Sequence, residues 1–107
     1  MNFHKESAYL VALSRSSLQR EETAASLEEL GELALSAGAS VVKKTVQTRR
    51  PDPAYYIGRG LVDRLKSELS ENGANLVIFD DPLSPAQQRN LEEALEVKVI
   101  DRSILIL

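Results

Sequence analysis

Arg49, Arg50, Tyr55, Tyr56 and Arg59 fall within one short stretch, and their side chains suggest a single kind of chemistry. Guanidinium groups neutralise phosphates and phenol rings stack on unpaired bases, so cations interleaved with aromatics make a surface suited to RNA. Lys43, Lys44, Arg64 and Lys66 extend the positive charge on both sides. From Lys43 to Lys66 there are seven basic and two acidic residues, a net of +5, in a chain whose formal net charge is −3. Charge segregated in this way is an electrostatic footprint for a polyanion even where the average is acidic. The competing reading is structural, with both tyrosines packed over a sheet edge and the arginines solvated, and it stays open on the residues alone.

Other constellations carry less. Ile57-Gly58-Arg59-Gly60 has the look of a phosphate-binding glycine loop, but no Gly-x-x-x-x-Gly-Lys-Ser/Thr string occurs in the 107 residues. Asp63 stands where a G-x-G-x-x-G motif would place its last glycine. The structural alternative is that Gly58 and Gly60 let the chain bend sharply into the following helix. Asp80-Asp81 invites a magnesium or phosphoacceptor reading, although aspartates are common at strand exits. A receiver domain would also need acidic residues after its first strand, where this chain has Ser14-Arg15-Ser16-Ser17. Ser14, Asp80 and Asp81 are the candidates for lining a nucleotide along that edge. There is no cysteine, and the single histidine, His4, lies near a terminus that reads as frayed. No metal site is therefore expected, and nucleophilic catalysis of the Ser/His/Asp or Cys/His kind has no residues to work with.

These side chains need a scaffold, and the hydrophobic pattern supplies one. Short apolar runs at Ala8 to Leu13, Ser40 to Gln47, Leu76 to Phe79 and Val97 to Ile100 alternate with helical spacing. The first helix carries Leu27, Leu30, Leu33, Ala34 and Ala37 and closes at Gly38, after a polar connection from Ser14 to Glu22. The second runs from Leu61 to Asn72-Gly73. The third starts at Ser84-Pro85, where serine caps and proline suits the first position, and carries Leu91, Ala94 and Leu95 inward.

Strands separated by helices of this length predict one α/β domain, residues 1–107, with a small four-stranded parallel sheet flanked by helices. Runs one and three are apolar on both faces and belong in the centre. Runs two and four carry mid-strand lysines that suit exposed edges, giving spatial order 2-1-3-4. In such a sheet ligands sit beyond the carboxyl ends of the strands, where the Ser14 to Glu22, Thr48 to Gly60 and Asp80 to Ser84 connections meet. Asp101-Arg102 followed by Ser103 to Leu107 reads as a helix cut short by a domain border. The longest early apolar run has six residues, too few for a signal-peptide core or a membrane span, so a cytoplasmic location is expected.

Four segments in order then resemble one family. Arg50-Pro51-Asp52-Pro53-Ala54-Tyr55-Tyr56-Ile57-Gly58-Arg59-Gly60, Ala74 to Asp81, Leu83-Ser84-Pro85-Ala86-Gln87-Gln88-Arg89-Asn90-Leu91-Glu92 and Val99-Ile100-Asp101-Arg102 are similar to the amino-terminal domain of HflX-type GTPases, with likeness from about Leu27 onward. The resemblance implies a cytosolic GTPase that binds the large ribosomal subunit and its RNA and helps to separate stalled ribosomes. The GTP-binding domain of such proteins follows a helical linker and is absent from this chain. GTP and magnesium are therefore expected only on that missing domain, and no cofactor is expected here. Some members are credited with ATP binding or RNA remodelling through the amino-terminal part. One departure stands out: the family loop reads Gly-x-Gly-Lys, whereas Leu61 follows Gly60 here, leaving Arg59 and Arg64 as substitutes for the lysine.

The expected role is thus a non-catalytic contact to the ribosome and its RNA through Lys43, Lys44, Arg49, Arg50, Tyr55, Tyr56, Arg59 and Arg64. An ATP-sensing or RNA-remodelling domain is the alternative, and a structural module that packs on the GTPase domain and regulates it is a second.

Overall fold

β1 (Ser7–Ser14) forms the axis of the sheet because seven of its eight residues are buried, so helices must cover both of its faces. The computed structural model describes residues 2–105. A 3₁₀ turn (Ser17–Gln19) leads into α1 (Arg20–Ser36), followed by β2 (Ser40–Thr48), α2 (Arg59–Asn72), β3 (Leu76–Phe79), α3 (Pro85–Leu95), β4 (Lys98–Asp101) and the short α4 (Arg102–Leu105). The four strands are all parallel, in the order β2-β1-β3-β4. β2 is largely exposed and forms one edge, with Lys43 and Lys44 on it, and β4 forms the other with Lys98 exposed.

Alternation along the strands splits the core in two. Tyr9, Val11 and Leu13 of β1, with Val77, Phe79 and Val99, meet Leu61, Val62, Leu65 and Leu69 of α2 and Leu91 and Leu95 of α3. Ala8, Leu10, Ala12, Leu76, Ile78 and Ile100 face Leu27, Leu30 and Ala34 of α1 on the other side. Burying each of the valine, leucine, isoleucine and phenylalanine side chains among them is worth roughly 1.5–3 kcal/mol, which is the main reason the elements dock.

Two segments differ from the sequence reading. α1 begins at Arg20, inside the expected polar connection, because its first turn, Arg20-Glu21-Glu22-Thr23, has no apolar residue to mark the period. The described residues before β1 are anchored and not frayed: Phe3 is only 4% exposed, packs in the α1-side core and donates its amide to the Ala37 carbonyl at 2.7 Å. Gly38 has φ +98°, and a Cβ there would press on Asn2 and the His4 backbone, so glycine is needed for the chain to turn beneath this segment. The expected cap of α3 is present in full. The Ser84 hydroxyl accepts the Gln87 amide and the Gln87 side chain accepts the Ser84 amide, with Pro85 in the first turn.

One polar cluster crosses the core between strands and helix. The Tyr9 ring is buried and its hydroxyl donates to Glu68 of α2 at 2.6 Å, which leaves Thr45 of β2 to donate to the phenol oxygen at 2.7 Å. Glu68 also takes the Lys43 ammonium and lies 3.6 Å from Arg64. Burial first, and then the neighbouring carboxylate, raise the Tyr9 phenol above its usual value. Lys43 first and Tyr9 second hold Glu68 below the ordinary value of 4.5. A carboxylate depressed in this way adds stability above its unfolded value and loses it as pH falls through the lowered one.

Tyr9→Phe is expected to cost about 1 kcal/mol of unfolding free energy, the net contribution of one such hydrogen bond, measured by chemical denaturation. Glu68→Gln should flatten the loss of stability on acidification below about pH 4.5 relative to the unaltered chain.

Candidate functional site

The connection from β2 to α2, which carries the arginine–tyrosine stretch, is pinned at nearly every step. Asp52 Oδ2 accepts the amides of Ala54 at 2.9 Å and Tyr55 at 2.8 Å, an Asx turn between Pro51 and the helix. Asp52 and Tyr56 exchange both backbone hydrogen bonds, at 3.0 and 2.8 Å. Two side chains of α3 hold the turn from outside: Gln87 donates to the Asp52 carbonyl and Asn90 to the Ala54 carbonyl, each at 3.0 Å. The Tyr55 amide first and the Ala54 amide second lower the Asp52 carboxyl below its usual value, with positive charge from Arg59 and Arg49 adding to the effect.

The sharp bend falls at Tyr56, whose φ is +65°, and not at a glycine. A left-handed tyrosine is costly. It is held there because the ring is 6% exposed and meets Phe79 edge-on, with centroids 6.2 Å apart. Tyr56 therefore leaves the set of stacking candidates: its ring is part of the core. Its hydroxyl lies beside Asp81 and Arg15, and burial, followed by Asp81, pushes the phenol far above its ordinary range.

The roles expected of the two glycines are corrected as well. Gly58 has φ −69°, ψ 151°, an ordinary extended conformation, and a Cβ at Gly60 would meet nothing within 4 Å. What Gly58 provides is room: a Cβ there would run into the Arg49 guanidinium, while its amide donates to Gln47 Oε1 at 2.8 Å.

The cations sort into two groups. Lys43 pairs with Glu68, Lys44 with Glu28 at 2.9 Å, Arg64 with Glu68 and Lys66 with Glu96 at 3.6 Å. Lys43, Lys44 and Arg64 are thus already met by carboxylates on the body of the domain. Arg49, Arg50 and Arg59 are exposed, and among the described residues none has a carboxylate oxygen within 4.0 Å. Arg49 donates from Nε to the Arg50 carbonyl at 2.8 Å, which fixes its guanidinium near the start of α2. The Arg59 guanidinium lies over the half-buried Tyr55 ring, 5.6 Å from its centroid.

The expected nucleotide edge has other occupants. The Ser14 hydroxyl is buried and donates to the Ser16 carbonyl at 2.6 Å. Asp80 is 8% exposed and accepts from Arg102, which also donates to the Ser26 carbonyl at 2.8 Å. In the sequence Arg102 reads as part of a helix start, and its reach into the crevice has no local signal. Asp81 lies against Tyr56, with its Oδ2 buried and without a hydrogen-bond partner. Among the described residues no group of three or more His, Cys, Asp or Glu side chains is placed to hold a metal ion.

The family model described as GTP-binding GTPase N-terminal matches residues 24–107. The chain belongs to the HflX N-terminal family. It is 44% identical over 104 residues to the GTPase HflX of Lacrimispora saccharolytica, covering 96% of this chain and 24% of that protein. Over 82 residues it is 42% identical to the GTPase HflX of Escherichia coli, covering 76% of this chain and 19% of that protein. The HflX-type domain therefore spans about a quarter or less of these relatives. Its fold is shared with a GTP-binding protein from Sulfolobus solfataricus solved in complex with GDP, at TM-score 0.62, 22% identity, 94% coverage of this chain and 29% of that one. It is also shared with the catalytic domain of an IS607-like serine recombinase, at TM-score 0.66, 20% identity, 87% coverage of this chain and 67% of that one.

Asp52→Ala should speed hydrogen exchange at the Ala54 and Tyr55 amides while the β1 and β3 amides keep their protection. In the unaltered domain the same two amides should stay protected below pH 3.8, the ordinary value for Asp52, and lose protection as pH falls through the lowered one.

Proposed function

We propose that this HflX-type domain contacts the RNA of the large ribosomal subunit through the Arg49–Arg59 loop, as the non-catalytic amino-terminal part of a cytoplasmic GTPase that splits or rescues stalled ribosomes. The observation that carries the reading is the sorting of charge. Carboxylates of the domain pair with Lys43, Lys44, Arg64 and Lys66, whereas Arg49, Arg50 and Arg59, in the pinned loop and at the first position of α2, keep no acidic partner among the described residues.

Free guanidinium groups release counterions when they meet phosphates, and they stack on exposed bases. The start of α2 adds to this, since its first turn holds no acidic residue and its positive dipole end points toward the loop. Because Asp52, Gln87 and Asn90 order the loop beforehand, binding does not have to supply that ordering. In this reading GTP and magnesium belong to the GTPase domain of the longer protein, which the present chain meets as a neighbour. An ATP-sensing role has less to rest on, since Asp80 is committed to Arg102 and Ser14 to Ser16.

Replacing Arg49, Arg50 and Arg59 by alanine together is expected to weaken binding to large subunits at least tenfold. It should also reduce the slope of log affinity against log salt by about 2, at roughly 0.7 for each single-strand phosphate no longer neutralised. Lys43→Ala with Lys44→Ala should change that slope little. Unaltered binding by the triple variant in the full-length protein would refute the proposal.

A further inference from the structure

We infer that the cleft between α2 and α3, beside Tyr55, is a pocket for an unpaired guanine base. The inference rests on the RNA-contacting reading above and names what that surface selects.

The cleft is lined by Tyr55, Arg59, Val62, Asp63 and Ala94, with a volume of about 210 Å³, and so includes one of the three arginines without a carboxylate partner among the described residues. Each side chain there suits a flat heterocycle. The Arg59 guanidinium already lies over the Tyr55 ring, 5.6 Å from its centroid, so a cation and an aromatic surface that can each stack on a base stand side by side. Val62 and Ala94 form an apolar wall.

Asp63 decides which base. It sits four residues after Arg59, one turn along the same face of α2, and is exposed. Arg64 of this helix pairs with Glu68 and Lys66 with Glu96, whereas Asp63, like Arg59, has no ion-pair partner among the described residues. An ionised carboxylate only accepts hydrogen bonds, through two oxygens side by side. Guanine presents two adjacent donors on its Watson–Crick edge, the ring N1–H and the N2 amine, and so matches both oxygens at once. Adenine and cytosine offer one amine beside a ring acceptor, which would face the carboxylate with like polarity, and uracil offers a single N–H between two carbonyls.

Two further clefts among the described residues lack this combination. One is rimmed by the Lys66–Glu96 pair and the other by the Lys44–Glu28 pair together with Glu32, and neither has an aromatic ring or an arginine.

The test uses single-stranded heptamers of uridine carrying one central guanosine, inosine, adenosine or cytidine, and fluorescence anisotropy with the 107-residue chain at low salt. Guanosine should bind about tenfold more tightly than adenosine, cytidine or the all-uridine strand, the low end of what a bidentate pair supplies. Inosine, which keeps N1–H but lacks the amine, should fall between. Asp63→Asn, which offers one acceptor and one donor, should collapse the guanosine preference. Salt-sensitive binding that ignores the central base, or a guanosine preference that survives Asp63→Asn, overturns the pocket while leaving the RNA surface standing. If no heptamer binds, the RNA-contacting reading fails. Amide shifts on titration with free guanosine against adenosine then judge the pocket alone: guanosine-specific changes at Tyr55, Asp63 and Ala94 uphold it, and their absence overturns it.

Discussion

Everything in this fold is organised by a strand that is almost wholly shielded from water. β1 is hydrogen-bonded on both edges, to β2 and to β3, and covered on both faces, so it can tolerate no polar side chain that lacks a partner. Its one large polar group, the Tyr9 hydroxyl, is met by Thr45 from the neighbouring strand and Glu68 from the helix behind it. That demand fixes the position of α2 against the sheet, and the start of α2 in turn fixes where the arginine loop must end. The exposed surface is placed by the needs of a buried phenol some distance away.

The same carboxylate explains why the positive stretch does not act as a single patch. Glu68 satisfies Tyr9 and in doing so lies within reach of Lys43 and Arg64, so the core's polar requirement draws two cations out of the solvent-facing set. Glu28 does the same for Lys44 from the opposite side of β2. What stays available is the loop itself and the first residue of α2, out of reach of these two carboxylates. There the acidic residue, Asp52, turns its oxygen to backbone amides.

Much of this architecture is legible in the residues. The continuous apolar character of Ala8 to Leu13 and Leu76 to Phe79 against lysine-bearing Ser40 to Gln47 and Val97 to Ile100 indicates the strand order, because burial on two faces leaves no latitude in side-chain type. Ser84-Pro85 marks a helix start for equally local reasons. The loop is harder to read, since its geometry depends on partners distant in sequence: nothing near Tyr55-Tyr56 says that Phe79 will receive one ring and leave the other at the surface. The pairing of Lys43 with Glu68, 25 residues apart, is likewise set by the docking of α2 on the sheet and not by any local pattern. Phe3 escapes a reading of the residues because a lone aromatic before a strand has no period to betray it.

Gly58 illustrates how an ordinary torsion can conceal a strict requirement. Its backbone would accept any L-residue, yet the space above its α-carbon is filled by the end of Arg49. A methyl group at that place would leave the scaffold intact and simply push the guanidinium aside, since the obstacle is the tip of a flexible side chain. Positions 49 and 58 are thus sterically complementary, the smallness of one residue making room for the length of the other. Drift at either would be felt first in what the surface holds, and only later, if at all, in whether the chain folds.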